Sequence, residues 1–67
     1  MIVITVNQKP HHFSKILSLQ DLVEQLDIAT QGIAIAVNNH VITKSDWASQ
    51  TLQHNDDVLI IQSTQGG

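Results

Sequence analysis

The sequence predicts an α+β domain, and three observations carry that reading. One stretch has helical periodicity, with Leu19, Leu22, Val23 and Leu26 at i, i+3, i+4 and i+7. Two others, Ile33–Val37 and Val58–Gln62, are short runs of apolar, largely β-branched residues, as strands with cover on both faces are. Strand-like runs lie on both sides of the one helix, which gives the order β-β-α-β-β-β. With 67 residues the chain has room for one domain and a small core.

Ile2–Val6 opens the chain as a β-branched strand. Asn7-Gln8-Lys9-Pro10 reads as the turn after it, because Pro10 cannot donate to a ladder and belongs at an edge or in a loop. His11–Ser14 then returns as a polar second strand. Ser18 begins the helix: its hydroxyl can accept from a free first-turn amide, and Asp21 three residues on completes a capping box. Gln20, Asp21, Glu24 and Gln25 take the solvent face, and Thr30-Gln31-Gly32 breaks the pattern. Ile33–Val37 is the next strand, Asn38-Asn39-His40 a turn, and Val41–Thr43 a short return strand. Lys44–Ala48 is expected to form a helical turn and His54–Asp57 a loop before the last strand. A hairpin, one helix across the sheet and a final strand returning to the middle describe a β-grasp arrangement. The expectation is a mixed sheet of four to five strands with one main helix. Residues 1–63 form the folded domain, and 64–67 form a flexible C-terminal tail with nothing to bury.

Composition removes several classes of function. There is no cysteine, so no disulfide, thiolate nucleophile or zinc–cysteine site can form. The formal charge is −3, with Lys9, Lys15 and Lys44 the only basic residues, too few for the clustered positive face that nucleic acid requires. Met1–Val6 is too short to span a membrane and lacks the flanks of a signal peptide. A cytoplasmic protein that binds neither nucleic acid nor membrane is the expectation.

The candidate chemistry sits at the C-terminus. Two Gly in the last two places arise by chance at roughly 0.5%, given an average frequency of about 7%. Without side chains, Gly66-Gly67 can thread a narrow channel, led by Gln65, and carry the terminal carboxylate into another protein's active site. The plain alternative is an end with no role. The last strand adds a second candidate. Val58 and Ile60 point to one face, Leu59 and Ile61 to the other, and Ala34 and Ala36 alternate likewise with Ile33, Ile35 and Val37. One helix covers one face only, so Leu59, Ile61, Ala34 and Ala36 are expected to form a partner-docking patch, unless the loop around Trp47 folds over them.

Other residues read as structural. His11 and His12 are adjacent and would point to opposite faces of a strand, and His40 and His54 stand apart, so no metal site is expected. The serines fit turns and caps, Asp56 and Asp57 a solvated loop, and Trp47 a packing position. The sequence contains no Gly-rich phosphate loop and no catalytic constellation, which predicts a protein that is not itself an enzyme and binds no cofactor.

The residues now in view resemble the ThiS family of ubiquitin-like sulfur carrier proteins of thiamine biosynthesis. The resemblance runs over most of the chain. It is carried by Ser18–Leu26, by Ile35-Ala36-Val37-Asn38 followed by Val41 and then Trp47-Ala48, and by Asp56, Val58 and the terminal Gly66-Gly67. The Asn38-to-Trp47 spacing is the more specific part. Asn55 departs from the pattern, standing where the family commonly has Gly, but Asn also tolerates αL. The resemblance implies that an E1-like enzyme similar to ThiF uses ATP to adenylate Gly67. Sulfur from a donor such as a cysteine desulfurase system then replaces AMP to give a thiocarboxylate. A thiazole synthase similar to ThiG consumes that sulfur. The small subunit of molybdopterin synthase uses the same terminal chemistry and is the alternative within the class. An interaction domain or protein modifier without sulfur chemistry is the alternative outside it.

Overall fold

The computed structural model describes residues 1–28 and 31–62. Thr30, expected to break the helix, and residues 63–67, with the boundary expected at 63/64, lie outside the described residues. The elements are β1 (Ile2–Val6), β2 (Lys9–Phe13), β3 (Leu17–Ser18), α1 (Leu19–Gln25), β4 (Ile33–Val37), β5 (His40–Ile42), a 3-10 turn (Lys44–Asp46), β6 (Thr51–Leu52) and β7 (Asp57–Gln62). Five strands form one sheet in the order β2-β1-β7-β4-β5. β7 runs parallel to β1 and antiparallel to β4, so the sheet is mixed. With α1 as the main helix, this is the β-grasp arrangement that the sequence predicts.

Both hairpins close on two residues in left-handed conformation, Asn7 and Gln8 (φ 50° and 71°) and Asn38 and Asn39 (φ 51° and 71°). Such turns match the twist of their strands and fix register. Val6 therefore faces Lys9, and Val37 faces His40. The first turn is two residues shorter than the sequence suggests, and β2 starts at Lys9 rather than His11. Pro10 is tolerated because β2 is an edge strand and Thr5↔Pro10 follows the hydrogen-bonded closing pair, which turns the missing N–H toward the open edge.

Every free donor of the first helical turn has a partner. The Ser18 hydroxyl accepts from the Asp21 amide (3.0 Å), and the Asp21 carboxylate accepts from the Ser18 amide (3.2 Å), the expected capping box. The amides of Leu19 and Gln20 donate to the carbonyls of Gln50 (2.8 Å) and Trp47 (3.1 Å). The helix stops at Gln25, earlier than the Thr30-Gln31-Gly32 break. Asp27 takes the left-handed position (φ 55°), its amide donates to the Glu24 carbonyl, and the Ile28 amide donates to the Val23 carbonyl. That pair of bonds is a Schellman motif built on Asp instead of Gly, with Ile28 folded back against the core.

A second sheet, absent from the sequence reading, pairs β3 with β6 through Leu17↔Leu52 and Ser18↔Thr51. It brings the segment around Trp47 to Gln50 onto the helix N-terminus. The core lies between the five-stranded sheet and α1, where Ile4, Leu19, Leu22, Ile35, Leu52 and Val58 are each fully buried. Trp47 packs into the same cluster at 1% exposure, and its indole N–H donates to the Ile42 carbonyl (3.0 Å).

Candidate functional site

The strand that leads to the tail is the middle strand of the sheet, and its alternation decides what surrounds the tail's root. Val58 is fully buried and Ile60 half-buried, both on the helix side. Leu59 and Ile61 face outward and are 45% and 50% exposed. The β4–β7 register sets Ala36 opposite Leu59 and Ala34 opposite Ile61. Ala34 is exposed. Ala36, expected to be exposed on this face, is instead buried, because its single methyl stands between two longer neighbours, Leu59 on one side and Val41 on the other.

Val41 belongs to this surface and was not picked out from the sequence. It is 70% exposed, and its register opposite Ala36 follows from the two-residue Asn38-Asn39 turn. That turn was the available signal: Val37↔His40 closing pairs force Ala36↔Val41 next. Trp47, the alternative cover for this face, lies in the core cluster on the helix side. The outer face thus presents an apolar row of Val41, Leu59 and Ile61 over a small-residue floor.

Several polar contacts fix the position of β7. The Asn7 side-chain oxygen accepts from the Ile60 amide (2.8 Å), extending the β1–β7 ladder beyond the end of β1, where the Asn7 amide donates to the Val58 carbonyl (2.9 Å). Asn38 ties the β4–β5 turn to the start of β7. Its side-chain N–H donates to the Asp56 carboxylate (3.0 Å), and its side-chain oxygen accepts from the Asp57 amide (3.0 Å). The other Asp56 oxygen accepts from the Gln53 amide (2.7 Å). Of the residues that carry the sequence pattern, Asn38 and Asp56 therefore tie the β4–β5 turn to the start of β7, and Trp47 packs in the core. Asn55 adopts φ 73°, the left-handed conformation for which Gly is the usual residue. Its amide donates to the Val3 carbonyl (2.8 Å), while His54 Nδ1 accepts from the Val3 amide (3.0 Å).

His11 and His12 stand opposite Ile4 and Val3, on opposite faces of the sheet. Among the described residues, no group of three or more His, Asp or Glu side chains stands together, and no polar or charged side chain is buried. No helix among the described residues is long and apolar enough to cross a membrane. Gln65, Gly66 and Gly67 lie outside the described residues. Their chain departs from Gln62, which pairs with Ile33 at the end of the sheet.

Comparison with known proteins agrees with the fold and the pattern. The sequence model of the ThiS family matches residues 3–67. The sulfur carrier protein ThiS of Escherichia coli is 34% identical over 50 residues, covering 75% of this chain and 76% of the relative. An uncharacterised protein of Porphyra purpurea is 35% identical over 66 residues, covering 98% of this chain and 93% of the relative. The crystal structure of the thiamine biosynthesis protein ThiS of Geobacter metallireducens superposes with a TM-score of 0.86 at 23% identity, over 98% of this chain and 100% of that one. At that identity the superposition speaks to the fold alone.

Proposed function

The chain belongs to the ThiS family, and we propose that it is a sulfur carrier in thiamine biosynthesis whose working group is the Gly67 carboxylate. The name of the Escherichia coli relative supports the sulfur-carrier role. Gly66-Gly67 supplies an unhindered terminal carboxylate. The observation that carries the reading is the apolar row beside the tail's root: Leu59 and Ile61 are half exposed on the strand that runs directly into the tail. Gly67 lies five residues beyond Gln62, and a peptide of that length spans no more than about 18 Å. An enzyme acting on Gly67 must therefore dock against the body close to Gln62, and the apolar row is there to be covered.

The chemistry follows from the carboxylate. An E1-like enzyme similar to ThiF holds ATP, and the Gly67 carboxylate oxygen attacks the α-phosphorus with loss of pyrophosphate. The resulting acyl adenylate has AMP as its leaving group. The terminal sulfur of a persulfide, supplied by a donor such as a cysteine desulfurase system, attacks the carbonyl carbon and expels AMP. A thiol that cleaves the S–S bond of the acyl disulfide then leaves the thiocarboxylate. A thiazole synthase similar to ThiG takes up that sulfur. The carrier contributes the reacting end and the docking surface; the partners contribute ATP and acid–base groups, and the proposed setting is the cytoplasm.

ATP–pyrophosphate exchange by the cognate activating enzyme tests the proposal. Deleting Gly67 is expected to abolish exchange and leave the melting temperature unchanged, since Gly67 has no side chain to place in a core. Normal exchange by the shortened chain refutes the role of Gly67. Intact mass of carrier from its native host, with one oxygen replaced by sulfur, separates a sulfur carrier from a modifier that lacks this chemistry.

A further inference from the structure

The other side of the tail's root is also open. Alternation along β7 sends Ile60 and Gln62 away from Leu59 and Ile61, and there a groove of about 390 Å³ lies between three segments. Val6, Asn7 and Lys9 of the first hairpin form one wall, Ile28 just past α1 another, and Ile60 and Gln62 the third. The floor is apolar, since Val6 is buried and Ile28 and Ile60 pack partly against the core. The rim is polar and rich in donors. The Asn7 side-chain oxygen is already occupied by the Ile60 amide, so its NH₂ is the group left to offer. Among the described residues lining the groove, Lys9 alone carries a charge, in a chain whose formal charge is −3.

We infer that this groove is a second docking site, and that it takes an aliphatic side chain next to a carboxylate from a loop of the enzyme that activates Gly67. The inference rests on the sulfur-carrier reading and adds a surface and a partner chemistry to it. The outer row of Val41, Leu59 and Ile61 offers apolar contact with no charge among its members, so it gives area without a charge to fix orientation. The groove supplies the missing complement: an apolar seat and one ammonium group beside the strand end from which the tail departs. A partner that closes around Gln62 meets the outer row on one side of β7 and the groove on the other. A carboxylate is the group that a lone cation in an acidic chain selects.

The test compares Lys9→Glu with Lys15→Glu. Each moves the formal charge by −2, from −3 to −5, but Lys15 follows β2 and lines a different cleft, with Phe13 and Ile16. ATP–pyrophosphate exchange is measured against carrier concentration with the purified activating enzyme of the same organism. At low salt, Lys9→Glu is expected to raise the half-saturating concentration on the order of tenfold, with the difference shrinking as salt is added. Lys15→Glu is expected to stay close to the parent chain, and thermal melts of both to match it. Should Lys9→Glu melt early, Lys9→Gln replaces it, with a smaller increase expected. Equal effects of the two reversals would mean that only net charge matters, and no effect of either would mean that the groove is unused; each overturns the inference while leaving Gly67 chemistry standing. A parent chain that supports no exchange at all refutes the sulfur-carrier reading itself.

Discussion

Val58, Leu59, Ile60 and Ile61 lie side by side in sequence yet divide between core and outer surface, so single substitutions there separate folding from docking. Ile61 is 50% exposed. Fully burying an Ile side chain is worth about 1.5–3 kcal/mol, and half of it is already covered by the fold. A partner that buries the remainder gains about 0.8–1.5 kcal/mol, or about 4- to 12-fold in Kd. Ile61→Ala is expected to weaken binding to the activating enzyme within that range, and Ile61→Asp by more, since a carboxylate would also be desolvated. Neither is expected to lower the melting temperature appreciably. Val58→Asp is expected to unfold the chain, because it puts an unpaired charge at a position with 0% exposure. Ile60 is a poorer partner for this comparison, since it is only half-buried and lines the groove. Isothermal titration against the activating enzyme, with circular dichroism melts of each variant, reads both effects. Undiminished binding by Ile61→Asp, or unfolding by it, refutes the assignment of the outer face as the docking surface.

Two further predictions concern stability. Gln8 occupies a left-handed position (φ 71°) that Gly adopts without steric cost, so Gln8→Gly is expected to stabilise the fold by about 0.5–1 kcal/mol, a rise of roughly 2–8 °C in melting temperature. Trp47→Phe keeps an aromatic ring in the core but removes the donor to the Ile42 carbonyl. It is expected to cost about 1–3 kcal/mol, read as a lower urea midpoint at unchanged slope.

Much of this structure is legible in the residues because local signals agree. Ser18 and Asp21 mark the helix start, alternation in β4 and β7 separates their faces, and paired Asn residues mark the second hairpin. The differences have separate causes. Pro10 suggests a first turn of four residues, yet it fits an edge strand with its missing N–H outward, and Asp27 holds the left-handed position that ends the helix without being Gly or Asn. β3 and β6 are two residues each, too short to show any period, and their pairing spans 34 positions between Leu17 and Leu52. In the candidate site, the facing of Leu59 and Ile61 follows from period two alone. The burial of Ala36 depends on the length of its neighbours across two strands, and the groove depends on three segments that only the tertiary fold brings together.

The position of β7 in the sheet has a mechanical meaning. It lies between β1 and β4, hydrogen-bonded to both, and its C-terminal end is the point from which the tail departs. In the proposed function a partner draws on the tail, and such a pull would run along β7 and load the bonds to both neighbours in shear, many together. The same pull on an edge strand would peel its bonds away one at a time. Asn7, whose side chain holds the Ile60 amide beyond the end of β1, reinforces the ladder where that tension enters the sheet. Under such a load the central position of β7 would spread the tension over two ladders before it reached the core.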